Sequence, residues 1–242
     1  MTNPNQLISI IIPVFNESES IGYLLDEVLN VMCSNKLNFE IVVVNDGSQD
    51  STSNVLDELT IKIKELSVIS LRTNYGQTAA MAAGFDNSNG EVVITLDGDL
   101  QNDPNDIPKL ISHINEGYDL ICGWRYDRKD KLINRRIPSK IANKLIANVT
   151  GLKLHDYGCS LKAFKKEIVN DIKLYGELHR FLPVLAKIEG AKIKEIKVNH
   201  RSRKYGSSKY GIDRTFRVLM DLLTVWFMTK FLTRPMYGFG FV

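Results

Sequence analysis

Two hydrophobic rhythms alternate over the first half of the chain. Short aliphatic and aromatic runs, ISIIIPVF, FEIVVVN, VISL, EVVITLD and DLICGW, are separated by segments of helical period: an amphipathic stretch to Cys33, then Ser51 to Leu66, Gly76 to Asn87 and Pro104 to Glu116. Strand and helix in alternation predict an α/β fold, a parallel sheet with crossover helices. The runs IVVV and VVIT are continuously apolar rather than alternating, as expected of strands covered on both faces. In such sheets ligands bind beyond the carboxyl ends of the strands. The polar clusters fall there: Asn16 and Glu17 after the first run, Asn45-Asp46-Gly47-Ser48 after the second, Asp97-Gly98-Asp99 after the fourth, and Trp124-Arg125 after the fifth.

Beyond Arg125 the pattern changes. YDRKDKLINRR is a basic connection, followed by a predicted helix over about 139–150, a turn LHDYGCSLKAF, mixed α/β structure to His200, and RSRKYGSSKYG, a loop by composition. A helical period returns over 212–232, with Phe216, Leu219, Leu223, Phe227 and Phe231 on one side. No repeat and no low-complexity linker interrupts the chain. The expected organisation is one domain over 1–211 and an amphipathic appendage over 212–242.

Composition narrows the classes. The 242 residues are 44% hydrophobic, enough for a substantial core. A net charge of +3 is too balanced for bulk attraction to nucleic acid. Three cysteines, Cys33, Cys122 and Cys159, have no CxxC spacing; they read as buried free thiols in a reducing compartment. The N-terminus has no basic region before its apolar run, which breaks at Pro13, so it reads as neither signal peptide nor membrane span. Val218 to Phe231 is interrupted by Asp221 and Lys230, short of the roughly 18 apolar residues of a spanning helix.

The strongest chemical signal is TLDGDLQNDP. Asp97 and Asp99 stand two apart at a strand end, where their carboxylates approach one small volume, and Gly98 between them admits a ligand close to the backbone. Converging carboxylates repel unless a cation lies between them or one is protonated. Oxygen ligands suit Mg²⁺ or Mn²⁺, with Gln101 adding an amide oxygen. In VVVNDGSQDST, Asp46 follows a buried strand and Gln49-Asp50-Ser51-Thr52 offer N-cap groups. There is no GxGxxG and no P-loop motif. Arg201, Arg203, Ser208 and Lys209 form a basic, Ser- and Gly-rich loop that reads either as a phosphate clamp or as solvated surface; Arg135 and Arg136 are open in the same way. Asp156 in HDYGC reads as a reactive carboxylate or as a helix cap, and His113, His155, His179 and His200 lack metal-ligand spacing.

The set IPVFNE, VVNDGSQD, NYGQTAAMAAGFD, TLDGDLQNDP, GWR, HDYGCSLKAF and RSRKYGSSKYG, in this order, resembles the family 2 inverting glycosyltransferases. More narrowly it resembles polyisoprenyl-phosphate glycosyltransferases related to dolichyl-phosphate mannose synthase and bacterial undecaprenyl-phosphate glucosyltransferases. The resemblance implies a GT-A fold. It makes Asp46 a nucleotide-base contact, with Pro13, Phe15 and Glu17 lining the same pocket. Asp97 and Gly98 would lie near the ribose and metal, Asp99 and Gln101 would bind the metal, and Arg125 would face the sugar or diphosphate. Arg201, Arg203, Ser208 and Lys209 would close over donor and acceptor phosphates. Asp156 would be the general base, or would position the acceptor or the arginines. Asn45 departs from the family, where a second Asp is frequent.

The expected activity is inverting transfer of a hexose from a UDP- or GDP-sugar to a polyprenyl phosphate at the cytoplasmic membrane face. A homo-oligomer is compatible. The alternatives are a soluble glycan acceptor, or a silent nucleotide-sugar-binding scaffold. On this reading 212–232 is a helix lying at the bilayer surface, or one packed back on the domain. PMYGFGFV then reads as the start of a membrane anchor.

Overall fold

The computed structural model describes residues 6–127, 146–148, 150–204 and, singly, 220, 223, 224, 226 and 227. Seven strands form one sheet in the order β3-β2-β1-β4-β6-β5-β7. These are β1 (Leu7–Val14), β2 (Asn38–Asn45), β3 (Leu66–Ser70), β4 (Val92–Thr95), β5 (Leu120–Arg125), β6 (Lys162–Lys165) and β7 (Ile193–Val198). Helices α1 (Ile21–Ser34), α2 (Thr52–Lys62), α3 (Gln77–Asp86) and α4 (Ile107–Asn115) follow the first four strands. Two more, α5 (Lys166–Asp171) and α6 (Leu182–Ile188), lie between β6 and β7. This is the α/β GT-A arrangement, a mostly parallel sheet between helices.

Successive strand residues enter opposite cores. Ile8, Ile10, Ile12, Ile41, Val43 and Ile94 pack with Leu24 and Val28 of α1, Leu56 of α2, and Leu110 and Ile114 of α4. Ile11, Val42, Val44 and Val93 pack with Ala80, Met81 and Phe85 of α3, Ile168 of α5 and Leu185 of α6. Both faces are covered, which is why the strand runs lack polar alternation. Pro13 lacks an N–H, yet the sheet tolerates it. The β1–β4 ladder runs only from Ile8 to Ile11, so Pro13 lies beyond it.

Two details differ from the sequence expectations, the end of α2 and the exposure of one cysteine. Helix α2 stops at Lys62 because Ile63 is extended (φ −114°, ψ 108°), and the following residues turn into β3. Of the capping groups expected before α2, Asp50 serves: its Oδ1 accepts from the Thr52 N–H at 3.0 Å, while the side chain of the N-cap residue Ser51 makes no capping bond. Cys122 and Cys159 are buried as expected, but Cys33 is exposed on α1.

Strand β6 runs antiparallel between β4 and β5, pairing Val93 with Phe164 and Leu120 with Phe164. Strand order reverses between β1 and β4, the switch point at which open α/β sheets place their ligands. In the C-terminal region Met220, Leu223, Thr224, Trp226 and Phe227 are helical and exposed. The rest of the helix expected over 212–232 lies outside the described residues, as do Arg135, Arg136, Ser208 and Lys209. Among the described residues no helix is long and apolar enough to cross a membrane.

Candidate active site at the carboxyl ends of the strands

The loops after β1 and β2 are stitched together by side chains. Asn16, in the left-handed region at φ 53°, donates its N–H to Ser48 Oγ (2.9 Å) and accepts the Gln49 N–H at Oδ1 (2.8 Å). The Glu17 N–H reaches Thr52 Oγ1 at 2.9 Å. Asn45 accepts the Ser48 N–H (3.0 Å) and donates from Nδ2 to Ser53 (2.8 Å), so a neutral amide here serves the loop itself. Pro13 and Phe15 are half-buried beside these loops.

Buried Asp46 accepts two backbone N–H groups, Tyr75 at Oδ1 (2.8 Å) and Gly76 at Oδ2 (2.9 Å). The carboxylate thereby shapes the loop that enters α3. Gly47 makes that approach feasible: at φ +66°, a Cβ on it would lie 2.4 Å from the Thr73 carbonyl carbon. Sequence reasoning assigned no role to Gln77, yet its Nε2 donates to Asp97 Oδ1 at 2.8 Å. The only sequence sign was its place in the NYGQ turn before a helix.

Asp99, 9% exposed, closes the carboxylate pair. Its Oδ1 accepts the Gln101 N–H at 3.1 Å, and Arg203 Nη2 donates to Oδ2 at 2.5 Å. Glu17 Oε1 lies 3.9 Å from Arg203 Nη1. Burial, and then the charge of Asp97, push the Asp99 carboxyl up to about 6 against the pull of Arg203. Ser20 Oγ ties Glu17 Oε2 (2.8 Å) to the Gly98 carbonyl (2.9 Å), and a Cβ on Gly98 would meet Val14 Cγ1 at 2.8 Å. Glu17, Asp97, Gly98, Asp99 and Arg203 are thus drawn into one cleft.

A divalent cation fits this donor set. The donors on the pair are carboxylate oxygens, the two carboxylates repel one another, and the Asp99 carboxyl is pushed up even with Arg203 beside it. Among the described residues no three His, Cys, Asp or Glu side chains converge as ligands. The protein would therefore contribute two carboxylates and leave further positions to water and phosphate. Gln101 turns its Nε2 towards the Arg201 carbonyl at 3.4 Å.

Arg125 and Asp156 form a buried two-point ion pair, Nε to Oδ2 at 2.7 Å and Nη2 to Oδ1 at 2.9 Å. Asp156 Oδ1 also accepts the Gly158 N–H at 3.1 Å. Burial disfavours the Arg125 charge, but the hydrogen bonds and charge of Asp156 outweigh it and raise the guanidinium pKa further. The charge of Asp97 acts in the same direction. His155 stacks on Trp124 with centroids 4.0 Å apart and bonds Glu195 Oε2 at 2.6 Å. Arg201 is drawn elsewhere, to Glu27 of α1 (2.6 Å) and Asp103 (2.7 Å). Glu27, Asp103 and Glu195 carried no sequence signal, since each is recognisable only by a partner far along the chain.

The family model described as glycosyl transferase family 2 matches residues 9–173. The chain belongs to glycosyltransferase family 2. Among this glycosyltransferase's relatives is a dodecaprenyl-phosphate galacturonate synthase of Rhizobium johnstonii, 46% identical over 96% of this chain and 70% of that protein. An undecaprenyl-phosphate 4-deoxy-4-formamido-L-arabinose transferase of Pseudomonas fluorescens is 38% identical over 98% of this chain and 70% of its own length. A solved structure of glucosyl-3-phosphoglycerate synthase from Mycobacterium tuberculosis, in complex with Mn²⁺ and uridine-diphosphate-glucose, has the same fold at TM-score 0.71. That alignment covers 93% of this chain and 79% of the other at 16% identity.

Proposed function

We propose that this glycosyltransferase moves a sugar from a nucleotide diphosphate sugar to a polyprenyl phosphate, with inversion at the anomeric carbon. The observation that carries the reading is the Asp97–Asp99 pair at the strand-order switch, with Arg203 Nη2 on Asp99 Oδ2. The names of the two relatives given above, both polyprenyl-phosphate sugar transferases, favour this acceptor over a soluble glycan. Those names cover a uronic acid and a modified pentose, so the sugar is read as a hexose or a near relative of one.

Each side chain then has work matched to its surroundings. Asp46 sets the loop before α3, and Pro13, Phe15 and Glu17 border the nucleotide. Asp97 and Asp99, with Gln101 beside them, hold Mg²⁺ or Mn²⁺, and the bound cation would offset charge on the departing nucleoside diphosphate. Arg125 keeps its charge at every working pH and faces the anionic groups of donor or acceptor. The two-point pairing supports Asp156 as the residue that positions Arg125 rather than as a proton acceptor. A phosphate monoester, with its second pKa near about 6, is mostly dianionic at neutral pH and needs little deprotonation before attack.

Ser208 and Lys209 are read, with Arg203, as contacts of the donor and acceptor phosphates. Arg201 anchors the segment leading to Arg203 through Glu27 and Asp103. Domain 1–211 does the chemistry, and 212–242 lies at the membrane surface where the lipid resides; the exposed Leu223, Trp226 and Phe227 support this.

The test is transfer of labelled sugar into organic-extractable lipid. Undecaprenyl phosphate would be offered nucleotide-linked galacturonate, 4-deoxy-4-formamido-L-arabinose, and UDP- and GDP-hexoses, with Mg²⁺ or Mn²⁺. One donor is expected to give product, and Asp99→Asn is expected to lower turnover at least about a thousandfold. Binding without transfer from every donor would favour the scaffold, and near-normal turnover of Asp99→Asn would remove the metal role.

A further inference from the structure

Three of the four oxygens of the Asp97–Asp99 pair accept an N–H: Asp97 Oδ1 from Gln77, Asp99 Oδ1 from Gln101, and Asp99 Oδ2 from Arg203. Arg203 is the charged donor of the three. Its guanidinium lies 2.5 Å from Asp99, after β4, and 3.9 Å from Glu17, after β1. A cation coordinated by Asp99 and this guanidinium would compete for the same oxygen and repel each other.

The chain leading to Arg203 is fixed at Arg201. The Arg201 N–H reaches the Gln101 carbonyl at 2.8 Å, and its side chain is held by Glu27 and Asp103 at 2.6 and 2.7 Å. Arg203 stands two residues past that anchor, with its side chain 25% exposed.

Resting on the reading of Asp97 and Asp99 as metal ligands, we propose that Arg203 is an exchangeable counter-ion of the metal site. It holds Asp99 until the divalent cation arrives, and the displaced guanidinium then serves the nucleotide diphosphate that comes with the cation. Cation and guanidinium thus alternate on one carboxylate oxygen. The consequence is coupling: the cation binds weakly alone because it must displace Arg203, and strongly with nucleotide because the displaced arginine gains a phosphate partner.

The experiment titrates Mn²⁺ into the protein, following free Mn²⁺ by electron paramagnetic resonance, with no nucleotide, with UDP and, in parallel, with GDP. Arg203→Gln is expected to bind Mn²⁺ alone about tenfold more tightly than wild type, and nucleotide with Mn²⁺ about tenfold more weakly. Arg203→Lys, which keeps the charge but loses the fork, should shift both constants in the same directions by about threefold, and carries the comparison if the glutamine variant does not fold. Unchanged or weaker Mn²⁺ binding in the absence of nucleotide would overturn the exchange and leave Arg203 a fixed clamp or a structural group. A wild-type protein that binds no Mn²⁺ even with nucleotide would instead overturn the metal reading, and the exchange with it.

Discussion

The two sides of the cleft are held together by different forces. On the side of β1, β2 and α3, the polar groups are satisfied by backbone: Asp46 takes two N–H groups from the Tyr75–Gly76 turn, and Asn16 and Glu17 are tied to Ser48, Gln49 and Thr52. On the side of β4, β5 and the segment after β7, charge meets charge: Asp99 with Arg203, Arg125 with Asp156, Arg201 with Glu27 and Asp103. The first arrangement fixes a shape before any ligand arrives. The second stores cations and anions that a phosphate or a metal ion can re-pair, which suits the side where charge develops during transfer.

Breaking the buried pair should have the largest effect. Asp156→Ala leaves the Arg125 guanidinium buried and unpaired, and is expected to cost about 3–5 kcal/mol of stability in chemical denaturation. A loss below 1 kcal/mol would mean that the charge is already solvated and that the two sides differ less than the geometry says.

On the backbone-satisfied side, Gly47→Ala combines a left-handed conformation with a contact of 2.4 Å against the Thr73 backbone. It should cost about 2–4 kcal/mol and weaken nucleotide binding, because the Asp46–Gly76 loop must shift. Wild-type stability in the same denaturation series would show that this loop is not preorganised.

The smallest effect carries the opposite sign. Asp99 is held near about 6 in the fold, above the ordinary 3.8 of an aspartate, so the folded protein binds that proton more tightly than the unfolded chain. Its contribution to stability is present below the unfolded pKa and is lost as pH rises through about 6. In metal-free protein, Asp99→Asn should therefore raise the melting temperature by a few degrees at pH 7.5, about 1–3 kcal/mol, and by much less at pH 4. A lower melting temperature at pH 7.5 would mean that the Arg203 pair outweighs burial.

Legibility along the chain follows the same division. IVVV and VVIT marked strands buried on both faces, and Asp46, Asp97 and Asp99 follow them at the carboxyl ends, as their place in the sequence said. The short KAFK strand escaped notice because β6 is four residues long with lysines at both ends, and its place between β4 and β5 rests on antiparallel pairing to strands far away in the chain. The end of α2 was misplaced by four residues for a related reason: Ile63 and Leu66 continue the apolar pattern, but the chain must turn to enter β3. Arg201 and Arg203 looked alike in the sequence, and only their partners separate an anchor from a residue facing the cleft.

By itself the sequence determined what local chemistry and period can carry: the alternation of strand and helix, burial of the sheet on both faces, and a pair of carboxylates at one strand end. The tertiary structure alone decided which cation meets which anion. Arg125 and Asp156 are 31 residues apart, and Asp99 and Arg203 are 104 apart. No period or spacing reaches across such distances. Strand β6, inserted antiparallel beside β5, returns the chain after Asp156 next to Arg125, while the Asn102–His200 bridge and the Arg201 N–H on the Gln101 carbonyl bring the segment after β7 to Asp99. Burial then makes each charge depend on the other.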